Sequence, residues 1–465
     1  MRILVLAGAL LAGSLRPAGG QECELVVHPD QILRSGADRV VGINLNYIRD
    51  HDENRPQARP IQQALSEMGA RWLRFPGGEK SDFHLWASPP YLKAESRSQG
   101  WYTRHAGRRM NFDEYMALAR AVRAEPCLVA AYDSEKRTQT TRQKFLELAV
   151  AWVRYANVEK KYGVKYWEIG NENWHNETAR PEEMAEIVAE FARAMKAADP
   201  AIRIGSNGSN PAWWAAFLPR AAPHLDFVSV SLYNTSGWHG YDYYPRHPEV
   251  NLIGTVTQAL KGIDQHAPEA DRKRIQVVVA ETNSKDFAKD RPWSAENSLG
   301  HALVTCDTIG KLLLEPRVAS AMLWTTRWMK DDEAPDSQWY ALDSKNRLTA
   351  AGHAVAIWGR FARERMVAVS GQPAALSAFA TRGADGRALN VIVINKGYEP
   401  VAIGRVTLRP PGNFTRAAVF RLSGSGPDDR APKWEELPAL RVKGGAVAGL
   451  TLPGVSATVL SLGGE

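Results

Sequence analysis

Cysteine is scarce in this 465-residue chain, which contains only three. An odd number of cysteines cannot pair completely, so a small fold held together by disulfides is excluded. Cys127 lies in an apolar run and Cys306 in a segment with helical spacing, and both are therefore expected to be buried as small hydrophobic residues. No paired-cysteine or His-x-x-x-His spacing is present. We accordingly expect no metal site and no cofactor.

Long apolar runs are also missing. The apolar stretch Ile3–Leu15 is too short to span a bilayer. It follows Arg2 and precedes the small residues Ala18 and Gly20, so residues 1–20 are typical of a secretory signal peptide. The sequence therefore predicts a secreted protein, periplasmic or extracellular, that does not bind a membrane.

Strong charge is a further absence. The formal net charge is +7, and no basic run with interleaved aromatic residues is present, so nucleic acid is not an expected partner. A mild positive charge permits an acidic polysaccharide without requiring one. Hydrophobic residues make up 44% and charged residues 23% of the chain, a composition typical of a folded globular protein.

Short apolar strands alternate with segments of helical spacing over residues 39–363. Strands that alternate with helices predict parallel pairing, and eight such repeats predict a closed barrel. From about Met366 onward, short alternating strands are separated by turn residues, and no helical pattern intervenes. The predicted fold class is therefore α/β, a (β/α)8 TIM barrel with a C-terminal all-β sandwich domain.

Four segments follow from these patterns. Residues 1–20 are the signal, 21–38 an N-terminal strand that joins the β-sandwich, 39–363 the catalytic barrel and 364–465 the β-sandwich accessory domain. The join between the last two is short and has no linker composition, so the accessory domain is expected to dock rigidly on the barrel.

Two glutamates follow short apolar strands of the predicted barrel. Val164–Ile169 leads to Gly170 and then Glu172, and Gln276–Ala280 leads to Glu281. Because the carboxyl ends of barrel strands converge on one face, both carboxylates are expected there. Carboxylates about 5–5.5 Å apart suit retaining glycoside hydrolysis, in which one is acid then base and the other is nucleophile. The alternative is that each glutamate is only a salt-bridge partner in a loop.

Polar residues at other strand ends suit the same site. Arg74 ends the second strand and could keep the nucleophilic carboxylate ionised, while Tyr233 ends the sixth and could donate a hydrogen bond to it. Asn171 could bind a sugar hydroxyl next to the reacting carbon. Asn44 ends the first strand and is another candidate substrate-binding residue.

The sequence resembles a known group of enzymes. The segments Arg74-Phe-Pro-Gly-Gly78, Gly170-Asn-Glu172 and Ala280-Glu281, followed by an all-β module, resemble clan A retaining glycoside hydrolases. The resemblance is greatest to the α-L-arabinofuranosidase type, whose relatives include β-xylosidases, β-glucuronidases and heparanases. It implies that Glu172 is the acid/base, Glu281 the nucleophile and Asn171 the contact to the 2-hydroxyl.

Two positions depart from the arabinofuranosidase pattern. Those enzymes usually carry Asn after Pro-Gly-Gly and His two residues before the sixth-strand tyrosine, where this chain has Glu79 and Ser231. Both positions are expected to line the pocket for the cleaved sugar. Reaction type is therefore predicted more firmly than the sugar, and a β-glucuronidase, a β-xylosidase or a galactan- or agar-type hydrolase remain alternatives.

Aromatic and basic residues in the predicted loops have two interpretations each. Trp174 and Trp324 either stack on sugar rings or pack loops onto the barrel rim. Lys285, Lys289 and Arg291 form either a solvated loop face or a site for a uronate or sulfate group.

The sequence thus predicts a secreted retaining hydrolase that acts on a polysaccharide or oligosaccharide. A transglycosylase would use the same residues. The alternative of another class is a non-catalytic carbohydrate-binding protein on a hydrolase scaffold, since fold alone does not fix function.

Overall fold

The computed structural model describes residues 23–132, 139–175, 179–285, 293, 297–329 and 340–463. The predicted signal, residues 1–20, lies outside this part of the chain. Among the described residues, no helix is both long enough and apolar enough to cross a membrane.

Strands β1 to β19 span, in chain order, Cys23–Ser35, Val41–Asn44, Trp72–Phe75, His84–Leu85, Arg97–Ser98, Glu125–Ala130, Tyr166–Ile169, Arg203–Asn207, Phe227–Tyr233, Gln276–Asn283, Val318–Leu323, Arg365–Ser370, Leu376–Arg382, Ala388–Asn395, Val401–Leu408, Arg416–Ser423, Lys433–Lys443, Ala446–Leu452 and Ser456–Gly463. The α-helices span Ile61–Met68, Phe112–Ala121, Arg142–Val153, Pro181–Ala198, Pro211–Ala221, Tyr243–Arg246, Gly254–His266, Glu269–Arg272, Leu299–Leu314 and Ala350–Phe361. Short 3₁₀ turns include Gly78–Phe83 and Gly100–Arg104.

Eight strands form a closed parallel barrel. Their order is β2-β3-β6-β7-β8-β9-β10-β11, and β11 pairs with β2 to close the circle. The spatial order follows the chain, with helices between most successive strands, which is the arrangement of a (β/α)8 barrel. The predicted barrel is therefore confirmed.

Alternation along each strand builds the inside of the barrel. In β7, Trp167 and Ile169 belong to the large core that the helices share, whereas Tyr166 belongs to a separate cluster with residues of other strands. That cluster comprises Trp72, Cys127, Tyr166, Phe227, Val278, Ala280 and Met322. Because side chains two residues apart point the same way, Arg74 and Glu168 lie directly above it. A polar layer therefore begins one step nearer the carboxyl ends of the strands.

The helices cover the outside of the barrel with apolar stripes. Pro181–Ala198 begins with proline in its first turn, where a missing N–H leaves no hydrogen bond unmade, and carries acidic residues there. Its buried residues recur at helical spacing, including Met184, Ile187, Phe191 and Met195. Cys127 and Cys306 are buried and unpaired, as the sequence predicted.

The C-terminal strands form an all-β module with the early strand. Nine strands hydrogen bond in the closed order β1-β12-β13-β14-β19-β16-β17-β18-β15. Strand β1 pairs antiparallel with β12 and parallel with β15. The sequence predicted a sandwich here, whereas the hydrogen bonds run in one continuous circuit. The difference arises because the early strand bridges two strands that would otherwise be open edges.

The barrel and the C-terminal module share one hydrophobic core. Phe379 of β13 packs edge-on against Trp358 of the last barrel helix, with ring centres 5.3 Å apart. Buried Asp307 adds polar contacts, accepting hydrogen bonds from Tyr244 at 2.5 Å and from Ser377 of the module at 2.9 Å. The module therefore stabilises one side of the barrel directly.

Candidate active site

Both sequence-predicted glutamates lie at the carboxyl end of the barrel strands. Glu281 lies near the end of β10, and Glu172 follows the end of β7 by three residues. The negative charge of Glu281 contributes to the raised pKa of Glu172, so the two carboxylates are close enough to interact.

Arg74 is the centre of the hydrogen-bond network beneath them. Its Nε donates to Oε2 of Glu168 at 2.8 Å, and its Nη1 donates to Oε1 of Glu281 at 3.0 Å. Nη1 also donates to Oδ1 of Asn44 at 3.0 Å, and Nη2 to Oδ1 of Asn171 at 2.8 Å. One buried guanidinium thus fixes four side chains that lie in or just after three barrel strands, β2, β7 and β10.

The carboxylate of Glu281 is held at both oxygens. Oε1 accepts from Arg74 at 3.0 Å, and Oε2 accepts from the hydroxyl of Tyr233 at 2.7 Å. The residue is only 4% exposed, so a charge there needs such partners. Hydrogen bonds from a cation and a phenol fix the orientation of the carboxylate.

Glu172 has the opposite environment. Burial, followed by the charge of Glu281, raises the pKa of Glu172 to about 8. A hydrogen bond with Ser231 and the charge of Arg74 partly offset these effects. The protonated form of Glu172 therefore predominates at neutral pH, while Glu281 sits among donors. This asymmetry separates the two carboxylates chemically.

The turn that carries Glu172 is tightly built. Gly170 has φ +73°, and a Cβ there would lie 2.1 Å from Oδ1 of Asn173 and 2.8 Å from the ring of Tyr132. Glu172 itself has φ +44°, a conformation that L-residues adopt rarely and at a cost. Such strain is held by the surrounding contacts, and here it aims the glutamate into the site.

The two sequence-predicted asparagines are engaged differently. Asn44 is fully buried, and its Nδ2 donates to the carbonyl oxygens of Ala280 at 2.7 Å and Leu323 at 3.2 Å. Since its Oδ1 accepts from Arg74, the whole amide binds protein groups. Asn171 is 1% exposed, and Arg74 holds its Oδ1 and thus fixes how its amide is rotated.

Trp324 lies on the wall of the site after the last barrel strand. It is 6% exposed and packs on Gly78, where an added Cβ would lie 1.9 Å from the indole. Gly78 also has φ +60°, so both the lack of space for a Cβ and the backbone conformation favour glycine at this position. Trp174 is half-buried, with its ring centre 5.4 Å from that of His175.

Known proteins that are similar to this chain are glycoside hydrolases, which agrees with the paired glutamates of the site. The model of the alpha-L-arabinofuranosidase 1 domain family matches residues 64–247. Alpha-L-arabinofuranosidase C of Emericella nidulans is 26% identical over 217 residues, which are 39% of this chain and 41% of that protein. Intracellular exo-alpha-(1->5)-L-arabinofuranosidase 1 of Bacillus subtilis is 23% identical over 217 residues, 40% of this chain and 41% of that protein. The chain therefore matches about two fifths of the length of these curated relatives.

The fold is matched over nearly the whole chain. The crystal structure of an alpha-L-arabinofuranosidase from Thermotoga maritima, in complex with arabinose, superposes with a TM-score of 0.73 at 20% identity. The superposition covers 95% of this chain and 100% of that one. The resemblance to clan A glycoside hydrolases of the α-L-arabinofuranosidase type is confirmed.

The expectation of secretion is wrong. The Bacillus subtilis arabinofuranosidase is named as an intracellular enzyme, which contradicts the secreted, periplasmic or extracellular location predicted from residues 1–20. That prediction depended only on an apolar run between an arginine and small residues. Short apolar segments of this kind occur for several physical reasons, and the pattern alone does not distinguish among them.

The two departures from the arabinofuranosidase pattern have defined surroundings. Glu79 is exposed, and its Oε2 accepts a hydrogen bond from the hydroxyl of Tyr102 at 3.1 Å. Ser231 is half-buried and hydrogen bonds to Glu172. Ser231 therefore influences the pKa of Glu172 directly, because its hydrogen bond lowers that pKa.

Two residues of the candidate site were missed from the sequence. Glu168 pairs with Arg74 inside the barrel, and Lys80 lies fully buried beside Trp324. Their positions were the available signal, because Glu168 lies in β7 and Lys80 shortly after β3, two strands whose carboxyl ends lie at this face of the barrel.

One of the two interpretations of the basic residues after β10, a solvated loop face, does not hold for Lys285. Lys285 is 2% exposed, so it is not part of a solvated face. Its ammonium nitrogen lies 6.0 Å from the ring centre of Tyr340. Lys289 and Arg291 lie outside the described residues. Within the described part of the chain, no group of three or more His, Cys, Asp or Glu side chains is arranged to hold a metal ion.

Proposed function

We propose that this protein is a retaining O-glycoside hydrolase that works by double displacement. Glu281 is the nucleophile and Glu172 the general acid and then base. The observation that carries the proposal is the difference between the two carboxylates. Burial and the charge of Glu281 raise the pKa of Glu172 to about 8, while Glu281 accepts hydrogen bonds from Arg74 and Tyr233.

In the first step, a carboxylate oxygen of Glu281 attacks the anomeric carbon of the bound sugar. The bond from that carbon to the leaving oxygen breaks, and Glu172 transfers its proton to this oxygen. Hydrogen bonds from Arg74 and Tyr233 orient the carboxylate of Glu281 before the attack. The product of the step is a covalent glycosyl-enzyme with Glu172 ionised.

In the second step, ionised Glu172 removes a proton from a water molecule, whose oxygen attacks the anomeric carbon. The ester bond to Glu281 breaks, and the released sugar has the configuration of the substrate. With Glu281 esterified, its negative charge no longer raises the pKa of Glu172. The affinity of Glu172 for a proton therefore falls when it must act as a base.

The other sequence-predicted residues divide into two groups. Asn171 is the contact to the sugar 2-hydroxyl, with its amide fixed by Arg74. Asn44 is a positioning residue, because the donors and the acceptor of its amide all bind protein groups. Glu79, Trp174 and Trp324 are substrate-binding residues around the cleaved unit.

The substrate is an α-L-arabinofuranoside in a polysaccharide or oligosaccharide. Support comes from the matching family model and from relatives that are named arabinofuranosidases. Glu79 and Ser231 replace residues usual in that group, so glucuronide, xyloside and galactan-type substrates belong in the same test. The division into an N-terminal strand at 21–38, a barrel at 39–363 and an accessory domain at 364–465 is part of this proposal.

Turnover of a panel of aryl glycosides tests the proposal. The parent protein should release the aryl group from the arabinofuranoside, and Glu281→Gln should abolish release. Glu182→Gln, on an exposed position of the helix Pro181–Ala198, is a matched control and should retain full activity. Binding of sugars without turnover of any member of the panel would instead favour a non-catalytic carbohydrate-binding protein.

A further inference from the structure

Lys80 is a buried cation whose role the proposed reaction does not use. It lies in the short turn Gly78–Phe83, which follows β3, and its side chain has no measurable exposure. Its ammonium nitrogen lies 4.7 Å from the ring centre of Trp324 and 4.4 Å from that of Trp328. Two indole faces therefore flank the ammonium group.

The hydrogen-bonding capacity of this ammonium group is unmet. Among the described residues, Nζ of Lys80 has no hydrogen-bond partner. The flanking rings attract the positive charge but supply no lone pairs, so up to three N–H donors lack acceptors. Burial lowers the pKa of Lys80 to about 7, which reflects the cost of keeping the charge away from water.

Lys80 belongs to the same site as the nucleophile. Four charges act on it: those of Glu281, Asp50 and Glu79 favour the ammonium form, and that of Arg74 opposes it. Glu281 is the proposed nucleophile, and Trp324 forms the wall over Gly78. A hydrogen-bond acceptor bound between Glu281 and Trp324 would therefore lie near Nζ of Lys80.

We propose that Lys80 is a substrate-binding residue that donates hydrogen bonds to hydroxyl oxygens of a neutral sugar held against Glu281. The inference rests on the proposed function of the site and specifies the substrate class. A hydroxyl oxygen supplies the missing acceptor without adding charge. A sugar carboxylate or sulfate would instead bring a further negative charge close to that of Glu281, which already acts on Lys80.

If the role of Lys80 were purely structural, substitution would affect stability and activity differently. If Lys80 only filled the space between the indoles, methionine would fill it with similar length and no desolvated charge, and activity would not change. A lysine that is retained for ligand binding opposes stability at the site where it acts. Lys80→Met should therefore leave the melting temperature unchanged or higher while substrate binding weakens.

The first experiment compares Lys80→Met with Lys396→Met. Lys396 is also buried, and it lies in the C-terminal module with its ammonium over the ring of Tyr244, which makes it a matched control. On the aryl glycoside that the parent cleaves best, Lys80→Met should lower kcat/KM by about 10- to 100-fold, as loss of a hydrogen bond from a charged donor does. Lys396→Met should leave kcat/KM within about twofold of the parent value, since substitutions far from a site usually affect it little. An unchanged kcat/KM in Lys80→Met, or a lower melting temperature with the same loss in both variants, would overturn the assignment.

Deoxy substrates locate the contact. The parent and Lys80→Met are assayed on aryl glycosides that each lack one hydroxyl of the cleaved sugar. On the analogue that lacks the accepting hydroxyl, the two proteins should have the same kcat/KM, because the interaction is already absent. A loss of equal size on every analogue would show that Lys80 touches no hydroxyl.

Uronide substrates separate the neutral sugar from the acidic alternative. The parent should prefer the neutral aryl glycoside over its uronide, and Lys80→Met should keep or widen that preference, because the variant lacks the ammonium group that would attract a carboxylate. A parent that prefers the uronide, with the preference lost in Lys80→Met, contradicts the assignment of a neutral sugar.

Failure of the proposed function is distinguishable from failure of this inference. If the parent hydrolyses none of the glycosides, the hydrolase proposal fails, and binding of L-arabinose, D-xylose, D-galactose and D-glucuronate is measured by calorimetry. Weaker binding of a neutral sugar to Lys80→Met than to the parent then supports the contact. Equal binding of these sugars to both proteins, or binding to neither, overturns it.

Discussion

Arg74 donates from Nη1 to Oε1 of Glu281 at 3.0 Å, and the two side chains are 1% and 5% exposed. The same guanidinium pairs with buried Glu168 at 2.8 Å, so one cation compensates two carboxylates. Removing one partner of a buried ion pair leaves an uncompensated charge, which destabilises a protein strongly. Arg74 therefore contributes both to the stability of the barrel and to the orientation of the proposed nucleophile.

Arg74→Met should lower the free energy of unfolding by about 3–5 kcal/mol, because Glu168 and Glu281 lose their cation. It should also lower kcat by at least about 100-fold, since Glu281 loses a fixed donor. Urea unfolding and steady-state kinetics measure the two effects. Arg203→Met is the control, since Arg203 is exposed at the other end of the barrel and should cost about 0.5 kcal/mol or less. Equal costs for the two variants would contradict the role given to Arg74.

The alkaline limb of the pH–rate profile should report Glu172. Burial and then the charge of Glu281 raise the pKa of Glu172 to about 8, so activity that needs protonated Glu172 should fall as pH rises through about 8. Glu281→Gln removes the repulsion between two negative charges, and the pKa of Glu172 should fall. Carbon-13 NMR of the labelled glutamate carboxyl follows this titration in the inactive variant. A titration unaltered by Glu281→Gln would mean that the two carboxylates do not interact.

Glu172→Ala should affect substrates according to their leaving groups. General acid catalysis typically contributes about 10²–10⁴-fold, and this factor should be lost on substrates whose leaving oxygen needs a proton. Aryl glycosides with strongly acidic phenols should keep most of their rate of glycosylation, and added azide should restore turnover as a glycosyl azide of retained configuration. Product analysis by NMR distinguishes the anomers. Equal loss on all leaving groups, or an azide product of inverted configuration, contradicts the assignment of Glu172.

Phe379→Ala should destabilise the barrel as well as the C-terminal module. The ring is 5% exposed and contacts Trp358 across the shared core, so its removal should cost about 3–5 kcal/mol. Because one core spans both parts, calorimetry should show a single unfolding transition that shifts downward as a whole. Phe414→Ala, which alters a partly buried ring within the module alone, is the control. Two separate transitions, with only one shifted by Phe379→Ala, would show that the parts unfold independently.

Much of the barrel was predictable because its strands are local features. Gln276–Asn283 carries a run of buried apolar residues, and Phe227–Tyr233 and Val318–Leu323 have similar runs. Their order along the chain is also their order around the barrel, so counting repeats was sufficient to predict the closure. The positions of Glu281 and Tyr233 at the catalytic face followed from that register.

The rest depends on contacts between residues distant in sequence. Glu168 lies in an apolar-looking strand, and its pairing with Arg74 becomes visible only when β3 and β7 are placed around the same barrel. Closure of the C-terminal sheet depends on β1, which pairs with residues more than 300 positions away. Burial of Lys80 between Trp324 and Trp328 likewise requires the loops after β3 and β11 to meet. Sequence spacing does not encode such contacts.

The most direct test of double displacement through Glu281 is to trap the glycosyl-enzyme. The parent protein is incubated with a 2-fluoro-2-deoxy glycoside of the sugar that it cleaves, with a good leaving group, and the adduct is mapped by peptide mass spectrometry. Fluorine at this position slows both steps, and the leaving group restores the first, so the covalent intermediate accumulates. We expect one adduct, an ester on Glu281, that is absent from Glu281→Gln and disappears when an acceptor sugar is added. An adduct on Glu172 or Glu79, or turnover of the parent's natural substrate with inverted configuration, would contradict it.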